Sequence, residues 1–223
     1  MKMRWGAAFL AAVMFWVTVP QAEAEEAIPE TVYQWVQSTS RQNYYFNKQQ
    51  IYFAVDAQGN MDVDVLLVPV LKTYDPVKKQ DVISKRRWKM LPTDGYNDLV
   101  GDAEYLSFNL KDQTVQITRQ EDLDSEWGVI AVANPTAVTK IPELSAQDVD
   151  GIFYRAILNY AYHHIDEIVD RTQSAKKARL TDEAKAKLEA MKNPAADKAG
   201  RETRKTSGRH HVTAESQSGS KHS

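Results

Sequence analysis

The 223-residue chain has no cysteine, and that absence removes several kinds of chemistry together. Disulfide staples, thiolate metal sites, cysteine nucleophiles and the lipid-modified cysteine of a bacterial lipoprotein are excluded. Histidine is scarce: of five in all, only His163 and His164 lie before the C-terminal stretch that holds His210, His211 and His222. Beyond the first 20 residues no apolar run is long enough to span a bilayer. The chain also lacks a phosphate-cradling glycine loop, a Gly-x-Ser-x-Gly elbow and a nucleophile–histidine–acid set at strand ends. With these goes the reason to propose an enzyme, and no cofactor is implied.

What is present begins with an address. "MKMRW" supplies a positive start, "GAAFLAAVMFWVTV" a short apolar run, and "PQAEA" a small-residue end, the three parts of a secretory signal peptide. Cleavage is expected near Ala24. The flank after it is acidic rather than Lys/Arg-rich, which disfavours an uncleaved anchor. The mature protein is therefore expected outside the cytoplasm, whether periplasmic, on the outer surface or secreted, with no transmembrane span.

Charge divides what remains. Residues 25–170 carry 13 Lys/Arg against 23 Asp/Glu, whereas residues 171–223 carry 13 against 6. An acidic body is followed by a basic tail. Without staples the body must stand on its own core, and residues 25–170 fall within the usual size of one domain.

From "TVYQWVQS" to "WGVIAVANP" the chain reads as short strands rich in Val, Ile, Tyr, Phe and Trp, broken by turn residues. In "IYFAVDAQGNMDVDVLLV", two apolar runs meet at Gln58-Gly59-Asn60, a tight hairpin turn. Met61, Val63, Val65 and Leu67 alternate with acidic residues on the dry face of one strand. "LLVPVL" is expected to be covered on two faces, with Pro69 at a bulge or an edge. A turn at "YDPVKK" is expected to lead to a strand, "DVISKRRWKM". Short turns join the later strands, so they are antiparallel neighbours in a meander.

The period then changes. Ser145 opens "SAQD", a capping-box-like start. Val149, Ile152, Phe153, Ala156, Ile157 and Tyr160 share one helical face. The expected fold class is α+β, an antiparallel β-meander packed by a C-terminal amphipathic helix. After residue 170 the apolar content falls. Residues 171–193 read as a charged helical extension with little to bury, and 194–223 as a disordered basic tail.

The order of these features resembles the bacterial surface-adhesin protein E-like family. The likeness rests on "YQWVQSTSRQNYYFNKQQIYF", a Trp strand followed by a Tyr-Tyr strand and an Asn-x-x-x-Ile turn. It rests also on "WGVIAVANPTAVTKIPELSAQDVDGIFYRAI", an aromatic-Gly-Val-Ile strand before Ile-Pro-x-x-Ser and a helix. It covers roughly residues 31–160 and implies an exported domain with an antiparallel sheet, located at the envelope and binding other molecules. Family members often carry a cysteine pair across the later strands and the helix. This chain has Gln116 or Ile117 and Ala156 or Ile157 there.

Three stretches offer chemistry. In "NYAYHHIDEIVD", His163 and Glu167 are spaced i, i+4 and His164 and Glu167 i, i+3, so one helix can present these three to a metal or use them to sense pH. The bland alternative is a pair of rings bordering an apolar stripe. "EDLDSEWG" alternates acids like a calcium loop but has Trp127 at the position that needs Gly and Ala133 at the position that needs Glu. It reads as a solvated acidic turn. In "SKRRWKM", Lys85, Arg87 and Lys89 fall on one face of the expected strand, and Arg86, Trp88 and Met90 on the other. This is either a cationic contact surface or an edge guarded by its charges.

The reading that follows is a non-enzymatic, exported bacterial envelope or surface protein, a binding or adhesion-like module. Its partner-contacting residues are Lys85, Arg87, Trp88 and Lys89, and its partner is an envelope or host-surface macromolecule such as an anionic glycan or protein, not a specific nucleic acid. The rivals are a periplasmic metal- or pH-responsive protein using His163, His164 and Glu167, and a structural accessory subunit of an envelope complex.

Overall fold

The computed structural model describes residues 28–192. The signal-type segment at 1–24 and the basic tail at 194–223 lie outside the described residues. Eight strands form one antiparallel sheet: β1 (Tyr33–Ser38), β2 (Gln42–Asn47), β3 (Tyr52–Val55), β4 (Met61–Tyr74), β5 (Gly101–Asn109), β6 (Thr114–Leu123), β7 (Val129–Ala133) and β8 (Val138–Lys140). The order is β1-β2-β4-β5-β6-β7; β3 also pairs β4, and β8 also pairs β6. Four helices accompany it: α1 (Pro76–Trp88), α2 (Val149–His163), α3 (Ile165–Lys176) and α4 (Asp182–Lys192). The α+β class and the antiparallel sheet agree with the sequence.

The long strand β4 organises the sheet. On one side it carries β3 along Met61–Leu67 and β2 along Val70–Tyr74. Val68 and Pro69 fall between them, so the sheet leaves a gap at the residue that has no N–H to give. The β3–β4 turn forms as the sequence suggests. Gly59 takes φ +81°, and the Asp56 carboxylate accepts from the N–H groups of Gln58 and Asn60 at 2.9 and 2.8 Å. The alternation from Met61 does not persist, because the register shifts between Phe53 and Ala54. Leu66, Val68 and Val70 thereby become the buried set, while Leu67 is exposed. The expected cover on both faces is reached only around Val70 and Leu71.

One face of the sheet carries the helices. Phe153, Tyr154, Ile157 and Ala161 of α2 are buried against it. Edge-to-face rings at 5.2 Å (Tyr44–Phe153) and 5.0 Å (Phe46–Tyr160) lock the helix to β2. Two expectations for α2 are corrected. Its N-cap is Asp148, which accepts from the Gly151 N–H at 2.7 Å, and not Ser145. Its buried stripe is turned toward Tyr154 and Ala161, which leaves Val149 and Ile152 exposed.

Residues 171–192 bury more than their composition suggests. Thr172 of α3, Ala178, and Ala184 and Leu188 of α4 are buried, and the apolar ones join the main core. The Thr172 hydroxyl accepts from the Phe53 N–H at 3.1 Å and donates to the Ile168 carbonyl at 2.7 Å. Between the helices, Arg179 accepts from the Met61 N–H and donates to the Gly59 carbonyl, each at 2.8 Å. Lys187 of α4 reaches Asp64 at 2.7 Å. Few apolar residues suffice here because each falls on the sheet face.

The largest departure from the sequence reading is α1. "DVISKRRW" is helix, not strand, and the helix begins earlier, at Pro76, and ends at Trp88. Asp75 is its N-cap, accepting from the Lys78 N–H at 2.6 Å, and Pro76 takes the first helical position. This is a start signal of its own, easily read as a turn. Lys85, Arg86 and Arg87 fill the last turn, where the helix dipole favours cations. Ile83 of α1 packs with Tyr96 and Leu99 in a second, smaller core.

Candidate functional site at the end of helix α1

The helix changes how the cationic residues meet. On a strand Lys85, Arg87 and Lys89 would share a face. On α1, Lys85 has Trp88 and Lys89 as its neighbours at three and four residues, while Arg87 projects from another side. Arg86 turns inward: its guanidinium lies 4.2 Å from the Tyr96 ring centroid and 3.7 Å from Asp122, and its Nε donates to the Pro92 carbonyl at 2.9 Å. The Tyr96 hydroxyl donates to Asp122. Arg86 thus fastens the helix end to the sheet and leaves its neighbours to solvent.

The helix closes in a Schellman motif. The Met90 N–H donates to the Arg87 carbonyl at 3.0 Å and the Leu91 N–H to the Arg86 carbonyl at 2.9 Å. The residue after the cap is then left-handed, a place that favours glycine. Here it is Met90, at φ +54°. The outcome is a convex tip on which Trp88 is 90% and Met90 92% exposed, with Leu91 at 45%. The side chains of Lys85, Arg87, Trp88 and Lys89 have no hydrogen-bond or ion-pair partner among the described residues. Six of the 20 Lys/Arg residues between 25 and 192 lie within 78–89, so α1 is a local concentration of cations.

Beneath the tip a cleft of about 220 Å³ opens between α1 and strands β6 and β7, lined among others by Lys85, Lys89, Leu91, Gln120, Asp122 and Val132. Its floor leads to a buried polar seam. Lys72 pairs with Glu104 at 2.8 Å, and Asp102 accepts from the Gln120 amide at 2.9 Å. Lys72, Asp102 and Glu104 are all buried. Asp102 Oδ1 and Glu104 Oε2 have no hydrogen-bond partner among the described residues. Burial first, and the Glu104 charge second, push the Asp102 carboxyl up to about 7. Burial acts to lower Lys72, but Glu104 and then Asp102 outweigh it and hold the ammonium above its ordinary value. Sequence reasoning missed this seam. The available signal was the spacing of Asp102 and Glu104 in phase with Leu106 and Phe108, which puts two acids on the dry face of β5.

The histidine stretch is arranged differently from its spacing. The helix breaks at His164, where φ is −114° and ψ 25°, so His163 and Glu167 do not lie on one continuous helix. His163 Nδ1 lies 2.7 Å from the Asn159 carbonyl. His164 stacks on Tyr160 at 4.2 Å between ring centroids, with Nδ1 3.1 Å from Glu167. Among the described residues no three His, Asp or Glu side chains are grouped to hold a metal. Both rings line a shallow groove between β1 and α2.

The acidic turn is closed by Asp124, whose Oδ1 accepts from the Glu126 and Gly128 N–H groups at 3.0 and 2.6 Å. It holds Trp127 at φ +62° in the wall of a cavity of about 490 Å³ on the sheet's other face, with Tyr33, Leu71 and Glu121.

No protein-family model matches the chain, and no curated protein matches it. Among solved structures it is similar to the crystal structure of protein E from non-typeable Haemophilus influenzae, at 14% identity, over 69% of this chain and 93% of that one, with a TM-score of 0.37. The resemblance read from the sequence and this structural comparison meet on the same group, as a distant, segment-level likeness. No described helix is long and apolar enough to cross a membrane.

Proposed function

We propose that this chain is an exported, non-enzymatic binding module of the bacterial envelope or surface, and that it meets its partner with the tip of α1. The observation that carries the proposal is Trp88 and Met90, about nine-tenths exposed, beside three unpaired cations. Soluble domains seldom leave a whole indole in water, and tryptophan and arginine are the residues that dominate recognition surfaces. The concentration of cations on α1 selects an anionic partner and steers it to the tip. Export is supported by the signal-type segment at residues 1–24.

Affinity capture from native envelopes with the chain from residue 25 to 223 tests this reading. Replacing Lys85, Arg87 and Lys89 by Glu, or Trp88 by Ala, is expected to abolish recovery of the main bound component. His163→Ala and His164→Ala are expected to leave it unchanged. Recovery that is indifferent to the tip variants overturns the proposal.

A further inference from the structure

We infer that the anionic partner of the α1 tip is the headgroup layer of a phospholipid bilayer, into which Trp88 and Met90 insert while Lys85, Arg87 and Lys89 contact the phosphates. This rests on the reading of the tip as the contact surface and names what it contacts. Shape is the first argument. Trp88 and Met90 stand at the summit of the turn that closes α1, 90% and 92% exposed, as a protrusion rather than a pocket. A fluid headgroup layer accepts such a wedge without a preformed pocket.

Chemistry is the second argument. An amphipathic indole next to unpaired Lys and Arg is the composition found at the water–bilayer boundary, where the ring sits among headgroups and long cationic side chains reach phosphate. Lys85 and Lys89 rim the cleft that also contains Leu91 and Val132, and these two are 45% and 47% exposed. Cations and apolar surface therefore continue together away from the tip, as a headgroup and its first methylenes require. Asp122, the acid on the cleft floor, is occupied by Arg86 and Tyr96 and does not repel phosphate at the rim.

Backbone is the third argument. A methionine, one of four non-glycine residues with positive φ among those described, holds the left-handed position that favours glycine, and backbone strain of this kind clusters at functional sites. Glycine would relieve the backbone and remove the wedge.

The experiment uses the chain from residue 25 to 223 with Trp35 and Trp127 changed to Phe, so that Trp88 is the one indole left. Vesicles of phosphatidylglycerol with phosphatidylcholine are compared with phosphatidylcholine alone. The expected result is a blue shift of Trp88 emission and its quenching by brominated acyl chains, with anionic vesicles only. Partitioning is expected to fall about tenfold or more for Trp88→Ala and severalfold for Met90→Gly. If the double Phe variant does not fold, the difference in emission between the unaltered chain and Trp88→Phe gives the same readout.

The basic tail can hold the protein on anionic vesicles by itself. Co-sedimentation with Trp88 still emitting as in water therefore overturns the inference. If that result accompanies loss of envelope capture in the tip variants, the tip reading stands and its partner is a protein or glycan. If capture is also unchanged, both readings fall.

Discussion

Changing Asp102 to Asn tests the buried seam most directly. Asp102 faces Glu104 on its own strand, Lys72 and Tyr74 on β4 and Gln120 on β6, while Tyr44 on β2 and Tyr154 and Asp150 on α2 act on Lys72 and Glu104 beside it. Its carboxyl rises from 3.8 to about 7 in the folded chain, so folding takes up a proton between those limits. The linked stability is fully present below about pH 4 and lost as pH rises through about 7, a difference on the order of 4 kcal/mol. Asparagine imitates the protonated acid: its oxygen still accepts from Gln120, and its amide donates toward the bare oxygen of Glu104. Urea unfolding of both chains between pH 4.5 and pH 8.5 is the assay. The variant is expected to match the parent near pH 4.5 and to exceed it by a few kcal/mol at pH 8.5. The comparison is read as the difference between the chains, since carboxylates such as Asp56, held low mainly by the Asn60 N–H, act equally in both. Parallel pH profiles would show that Asp102 is ionised at neutral pH and that the two bare oxygens are satisfied in another way.

Other substitutions separate stability from recognition. Met90→Gly should raise stability by about 0.5–1 kcal/mol by relieving the left-handed backbone, measured by urea denaturation, and Trp88→Ala should change it by less than about 0.5 kcal/mol. Thr172→Val should cost about 1–3 kcal/mol, since the Phe53 N–H loses its acceptor in a buried place. Leu188→Ala should cost about 2–5 kcal/mol if α4 belongs to the core. A negligible change there would mean that the extension is only laid against the sheet.

The strands were legible because period-two alternation and turn residues act locally. The hairpin at Gly59 and the runs that became β5 and β6 needed nothing from elsewhere in the chain. Helix α1 was misread because its decisive signal, Asp75 followed by Pro76, also marks a turn, and because Lys85 to Met90 has no apolar period of either kind. Helix α4 was undervalued for a different reason. Ala184 and Leu188 are two modest residues whose worth depends on where Arg179 bridges the β3–β4 turn, a long-range fact absent from local pattern. Lys85, Arg87, Trp88 and Lys89 were placed on a strand and stand instead at the end of a helix. Composition marked the residues, and only the helix end explains why Trp88 and Met90 stand clear of the fold.

The stitching of the last helices to the β3–β4 hairpin also governs the order in which the chain can fold. Phe53 waits for Thr172, Ile51 for Arg171 and Asp64 for Lys187, partners 119, 120 and 123 residues away. Contacts of such separation form late and slow the search. The hairpin that emerges early gains its cover only when residues near 188 arrive. The same long closures that stabilise the finished fold therefore leave an incomplete chain open.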